Sequence, residues 1–212
     1  DKAGFEVAVV GGAVRDFLTG IEPCDWDLTT NATPEQMLAL FESAFYNNTF
    51  GTFGIPGKGS VQSIQITTYR SEKGYSDRRH PDKVLWGKSL NDDLNRRDFT
   101  INAIARPYKN GAFGDIVDPF DGQRDLEKKR VRTVGNAQER FEEDALRLLR
   151  AVRFATTLDF EIEDKTMSAI LKNAKSISKV SGERVRDEIF KIVMSKNVAK
   201  GFFLLRDLKL LD

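Results

Sequence analysis

The spacing of apolar residues changes partway along the chain, and that change limits the folds open to it. Up to about Arg130 they come in short runs broken by glycine, proline and polar turns. Beyond it, Phe141, Ala145, Leu148, Leu149, Val152 and Ala155 recur at helical spacing. Val7 to Val10, stopped by Gly11-Gly12, reads as a strand and turn, Ala13 to Leu18 as a short helix ended by Gly20, and Asp25 to Thr29 as the next strand. Thr33-Pro34-Glu35-Gln36 is a helix start with Thr33 as cap and Pro34 at the first position, and that helix is predicted to run to about Phe45. Val61 to Tyr69 alternates as a strand, whereas 71–90, polar and aperiodic, reads as a long loop. A short helix is predicted to include Phe99 to Ala105, then two strands, Arg106 to Tyr108 and Phe113 to Val117, joined through Asn110-Gly111. A long amphipathic helix from about Ala137 to Thr157 follows, with helical patterns at about 164–174, 182–195 and 197–208. The expected architecture is an α/β domain over 1–135 and an all-α domain over 136–212.

Composition excludes several classes. A chain of 212 residues, 40% hydrophobic, can bury a proper core. Cys24 is the sole cysteine, so no internal disulfide forms, no disulfide-linked partner is expected, and a reduced, cytoplasmic setting is the default. No apolar run approaches the roughly 18 residues of a membrane span, and no signal peptide is visible. His80 is the sole histidine, which argues against histidine acid/base or zinc chemistry. Net charge is only +1, yet residues 165–200 hold nine Lys or Arg against three Asp or Glu, an excess that suits an anionic partner or a solvated helix face. The chain opens at Asp1 without methionine and closes in an apolar-periodic stretch, so it is expected to be part of a longer protein.

The chemistry concentrates in four blocks. Asp25-Trp26-Asp27 on a strand would project both carboxylates to one side and Trp26 to the other. Alone, such a pair could equally cap a loop or be solvated. Placed just after Gly11-Gly12-Ala13-Val14-Arg15-Asp16, it suits a hard divalent cation such as Mg²⁺ shared with a triphosphate. Gly12 would admit phosphate to the backbone and Arg15 would contact its oxygens, the plainer reading being a glycine turn beside a surface arginine. In Arg96-Arg97-Asp98-Phe99-Thr100-Ile101-Asn102-Ala103, Asp98 and Asn102 lie four apart on the predicted helix and could hold a ribose hydroxyl, with Arg97 on phosphate; the alternative is a helix cap with flanking charges. In Glu143-Asp144-Ala145-Leu146-Arg147, with Arg150 and Arg153 beyond, Asp144 and Arg147 are three apart on one predicted helix and face the same way. That stripe is either a salt-bridge ladder or a base reader. Cytosine and adenine both present an exocyclic amine beside an unprotonated ring nitrogen, which an aspartate and an arginine complement; guanine and uracil present the opposite order.

Taken in order, these blocks resemble the bacterial-type (class II) tRNA nucleotidyltransferase and poly(A) polymerase family, over nearly the whole chain to at least residue 195. The resemblance implies a polymerase-beta-like nucleotidyltransferase head (1–135) and an all-α helical neck (136–212). It implies that Asp25 and Asp27 bind Mg²⁺, that Gly12, Arg15 and Arg97 handle triphosphate, and that Asp98 and Asn102 sit near the sugar. Asp144 and Arg147 would form the protein template for C and A, supported by Arg150 and Arg153. The implied reaction is addition of C and A, from CTP and ATP, to the tRNA 3′ end without a nucleic-acid template. Relatives that add only CC lack a flexible loop; Tyr75 to Asp82, with Asp77 and Arg78, looks like that loop and favours CCA or A addition. Phe50-Gly51-Thr52-Phe53-Gly54 is closer to the tRNA enzymes than to the poly(A) polymerase branch. Two departures stand out. Gln65 occupies a position where relatives usually carry glutamate, and the chain stops before the helical body and tail with which relatives hold tRNA. An A-adding enzyme, a poly(A) polymerase and a non-catalytic RNA-binding relative therefore stay open as alternatives.

Overall fold

The computed structural model describes residues 1–23, 25–41, 45–47, 51–56, 63–73, 83–86 and 89–211. They divide into two compact units, one made of Asp1–Glu72, Val84–Arg97 and Ile101–Gln123, the other built on Asp98–Thr100 and the run from Arg124 onward.

The first unit carries β1 (Val7–Val10), α1 (Gly12–Leu18), β2 (Trp26–Thr30), α2 (Pro34–Leu40), β3 (Phe45–Asn47), β4 (Thr52–Pro56), β5 (Ser63–Thr68), β6 (Arg70–Lys73), β7 (Lys83–Trp86), α3 (Leu90–Asn95), β8 (Ala105–Lys109) and β9 (Ala112–Phe113). Seven strands form one mixed sheet in the order β3-β4-β5-β2-β1-β8-β9, with β2 and β5 parallel and the other described neighbours antiparallel. Alternation along β1 builds the core on both faces. Ala8 and Val10 pack with Leu94 of α3 and Ala105 of β8. Val9 points the other way and, with Ala13, Val14 and Trp26, lines a small cavity of about 80 Å³ beside α1. On β2 and β5, Leu28 and Ile66 join Ala32, Met37 and Phe53 under α2.

Several predicted elements change. The capping box on α2 forms as its residues dictate, the Thr33 hydroxyl accepting from Gln36 N and the Gln36 side chain from Thr33 N. The helix stops at Leu40, however, and Phe45 opens a strand paired with β4. Cross-strand pairing overrides local propensity there. The stretch predicted as one loop, 71–90, contributes β6 and β7 and the start of α3; its centre, with Asp77, Arg78 and His80, lies outside the described residues, as does Cys24. The helix predicted over Phe99 to Ala105 shrinks to one 3₁₀ turn, Thr100–Asn102, before Ala105 joins the sheet beside Val10.

The second unit carries most of α4 (Gly122–Glu127), and all of β10 (Arg130–Val131), α5 (Ala137–Glu143), α6 (Leu146–Thr157), β11 (Glu161–Ile162), α7 (Asp164–Asn173), α8 (Gly182–Val193) and α9 (Val198–Asp207), with β10 and β11 paired parallel. The single helix predicted over Ala137 to Thr157 is two. Asp144 has extended backbone (φ −144°, ψ 106°), and its Oδ1 accepts from Leu146 N, a turn in which an aspartate side chain replaces the helical bond. The second piece, α6, buries most of its circumference and packs on α8 and α9. No helix among the described residues is long and apolar enough to cross a membrane.

Candidate active site

In the first unit the site grows from the turn between β1 and α1. Gly11 has φ +70°, a conformation that favours glycine. A methyl group on it would stand 2.9 Å from Arg97 Nη1, 3.8 Å from Asp27 Oδ2 and 3.9 Å from the Asn102 carbonyl oxygen. Three of the predicted residues thus meet at one backbone position. The glycine the geometry requires is Gly11. Gly12, read from the sequence as the phosphate glycine, is an ordinary first helical residue whose added methyl would meet, among the described residues, only Arg15, at 3.6 Å or more. Arg15 donates from Nη1 to Asn102 Oδ1 (2.8 Å) and pairs with Asp16 (2.7 Å).

Arg97 is aimed by a residue that no motif flagged. Buried Asp93 on α3 pairs with Arg96 (2.6 Å) and Arg97 (3.0 Å). Burial works against its charge, but the two guanidiniums outweigh it and hold the carboxyl below the ordinary range. Arg97 Nη1 also donates to the Asn102 carbonyl (3.4 Å), while its buried Nε has no partner among the described residues. The signal for Asp93 was available: it lies three and four residues before Arg96 and Arg97, the spacing of helix neighbours.

Asp27 lies in β2 and Asp25 immediately before it, both exposed, and Trp26 turns to the opposite side as alternation predicts. Asp27 keeps much of its surface in water, yet the protein crowds around its carboxylate. That crowding raises its carboxyl pKa; Arg97 opposes the rise and the Asp25 charge adds to it. A crowded carboxylate beside a second one of like charge fits an oxygen-seeking divalent cation. Asp27 is the register partner of Gln65 on β5, so the two side chains share a face of the sheet. Among the described residues no group of three His, Cys, Asp or Glu side chains is placed so as to hold a metal ion by itself. The two aspartates would leave most coordination positions to water and phosphate oxygens, the usual arrangement for Mg²⁺.

The second unit holds a lattice of ion pairs. Asp98 accepts from Phe99 N (2.8 Å) and pairs with Arg150 (2.6 Å). It does not share a helical face with Asn102: Asp98 lies in a bend and Phe99 in a bridge before the 3₁₀ turn, and Asn102 belongs to the first unit. Burial would raise the Asp98 carboxyl, but Arg150, Arg147 and the hydrogen bonds hold it at about 2. Arg153 pairs with Glu188 (2.5 Å) and lies over the Phe154 ring (3.9 Å), and Arg150 reaches the same Glu188 at 3.9 Å. Arg147 donates to Glu143 and to the Arg140 carbonyl. Arg184 pairs with both oxygens of Asp144. Sequence reasoning missed Arg184 and Glu188. They are four apart on α8, and the site residues they hold lie 35 to 40 residues upstream, where no local spacing reveals them.

A glycine-turned mixed sheet presenting a paired aspartate, followed by a helical region, is the fold of a polymerase-beta-like nucleotidyltransferase. Residues 7–132 match the poly A polymerase head domain, and residues 159–212 match the family described as the probable RNA and SrmB-binding site of polymerase A. The chain belongs to the class II tRNA nucleotidyltransferase and poly(A) polymerase family, and within it is most like the CCA-adding enzymes. It is 44% identical over 203 residues to a CCA-adding enzyme of Lactobacillus delbrueckii subsp. bulgaricus, covering 95% of this chain and 50% of that protein. Its fold matches the Bacillus stearothermophilus CCA-adding enzyme solved in complex with CTP (TM-score 0.86, 37% identity, 99% of this chain and 49% of that one). It also matches the Thermotoga maritima CCA-adding enzyme complexed with tRNA (TM-score 0.83, 30% identity, 100% and 48%). The chain therefore spans about half the length of the curated relatives it matches. The family generally uses a divalent metal.

Proposed function

We propose that this chain adds C and A, from CTP and ATP, to the 3′ end of tRNA by Mg²⁺-dependent nucleotidyl transfer, as a cytoplasmic enzyme. The observation that carries the reading is the convergence of Asp27, Arg97 and Asn102 on Gly11. Residues 1–135 act as the catalytic head and 136–212 as the nucleotide-recognition neck. Asp25 and Asp27 would hold Mg²⁺, which would supply positive charge at the attacking hydroxyl and the triphosphate. Gly11 and Gly12 let the backbone approach phosphate, and Arg15 and Arg97 donate to its oxygens. Asn102, oriented by Arg15, and Asp98, locked to Arg150, serve the sugar side. Asp144 and Arg147 read the base edge, with Arg150 and Arg153 in support, and Asp77 and Arg78 belong to the loop that completes CCA addition.

The test offers tRNAs ending before the CCA, after C and after CC, each with one nucleotide at a time. Stepwise incorporation of C, C and A, abolished by EDTA and restored by Mg²⁺, is expected. Incorporation of A alone identifies an A-adding enzyme, untemplated runs of A a poly(A) polymerase, and no incorporation overturns the enzymatic reading. A non-catalytic RNA-binding relative is the second reading, favoured by the neutral Gln65 beside Asp27; tRNA binding unaffected by Asp25→Ala, without turnover, would select it.

A further inference from the structure

Asp144 is held by a residue outside every motif of the sequence, and the geometry of that hold bears on base choice. The Arg184 guanidinium grips the carboxylate with two nitrogens, Nη1 on Oδ1 at 3.3 Å and Nη2 on Oδ2 at 2.9 Å. Oδ1 also accepts from Leu146 N at 3.1 Å. Each carboxylate oxygen can accept about two hydrogen bonds. Oδ1 is therefore filled, while Oδ2 keeps one acceptor position, and the Asp144 side chain keeps 17% of its surface exposed. An aspartate's terminal torsion is soft and roughly two-fold, so an unheld carboxylate presents either oxygen at a range of angles. A planar fork removes that freedom. Because Asp144 sits in extended backbone between α5 and α6, no helix fixes it; the Leu146 amide and the Arg184 fork do.

We infer that Arg184 is a specificity-determining positioning residue: by locking the Asp144 carboxylate plane it leaves a single oriented acceptor, which takes an exocyclic amine of cytosine or adenine and repels the carbonyl that uracil or guanine presents there. The inference rests on the reading of Asp144 as a base reader. Two features separate it from simple charge balance. A lysine would supply the same charge but not the fork, and Arg147, the other proposed reader, is held by a different carboxylate, Glu143.

The experiment measures binding of CTP, UTP and inorganic tripolyphosphate to the chain by equilibrium dialysis, for wild type, Arg184→Lys, Arg184→Gln and Asp144→Asn, with circular dichroism melts alongside. Arg184→Lys is expected to cut the preference for CTP over UTP about tenfold, the ratio one hydrogen bond carries, while tripolyphosphate binding is unchanged. Arg184→Gln, which keeps an N–H donor without the fork, is expected to do the same and serves if the lysine variant melts early. Preference lost in Asp144→Asn but intact in both Arg184 variants overturns the role of Arg184 and leaves the base reader standing. Preference intact in Asp144→Asn, or absent in wild type, overturns both.

Discussion

Asp98 is only 8% exposed, so its charge survives by partnership alone. Burial would push its carboxyl up, yet Arg150 and Arg147 pull it down to about 2, against about 3.9 for a free aspartate. A carboxyl depressed on folding contributes stability at all pH values above its unfolded pKa and loses it as pH falls through the folded one. Asp98→Asn is therefore expected to cost about 2 kcal/mol at neutral pH, less than a fully buried pair because Arg150 keeps part of its surface in water. That difference should hold down to about pH 4 and shrink toward pH 2, which urea titrations of both proteins across that range would measure. Gly11 gives a second prediction. Gly11→Ala meets both an unfavourable φ and Arg97 at 2.9 Å. It should lower tripolyphosphate affinity at least about tenfold and stability by about 1–2 kcal/mol. Gly12→Ala should lower affinity much less and be neutral or slightly stabilising, as alanine is in a helix; equal losses from both would remove Gly11's special place. The paired glycines were legible in the sequence, but which of them turns the chain was not, because φ depends on where Arg97 and Asn102 arrive from some 90 residues downstream.

At the scale of elements, periodicity read the architecture well where one face is buried and poorly where pairing or a side chain interrupts. The patterns at 164–174, 182–195 and 197–208 became α7, α8 and α9 within a few residues at each end. The break between α5 and α6 was hidden because Phe141, Leu148 and Val152 all point to the core on either side of it, so the apolar stripe runs on while the backbone does not. β6 and β7 were hidden because each is only four residues long and β6 is entirely polar, so their pairing rather than any periodicity defines them. The helix packing of the second unit has its own test at Gly201 on α9. A methyl there would stand 2.5 Å from Ile192 Cγ2 of α8 and 2.9 Å from Thr156 Oγ1 of α6. Ile192 and Thr156 are fully buried, so neither can swing away. In an exposed helix Gly→Ala stabilises by about 1 kcal/mol; here overpacking should reverse the sign and cost about 1–3 kcal/mol. A thermal melt of Gly201→Ala measures the sign directly, and a rise in Tm would mean that the three helices yield to each other more readily than their spacing implies.

For the molecule as a whole, a net charge of +1 conceals an uneven distribution. Four acids of the second unit are neutralised within it: Glu188 and Asp98 are buried on arginines, and Asp144 and Glu143 are paired with Arg184 and Arg147. Lys165, Lys172, Lys175 and Lys179 are exposed along α7 and the 3₁₀ segment that follows, within the stretch matching the RNA-binding family. Buried neutralised pairs contribute little field at a distance, whereas exposed ammonium groups act over about 8 Å at physiological salt. A polyanion would thus meet a basic surface that overall charge does not announce. If tRNA is the partner, its affinity should fall steeply with salt, and each lysine withdrawn from a phosphate should reduce the slope of log K against log salt by about 0.7–0.9. The triple change Lys172→Gln, Lys175→Gln, Lys179→Gln is expected to weaken tRNA binding and flatten that slope by about 2, while leaving CTP affinity unchanged, since none of the three belongs to the nucleotide-handling set. Filter binding from low to physiological salt, with CTP dialysis as the control, measures both. An unchanged slope would place the RNA on a different surface and return these lysines to the role of a solvated helix face.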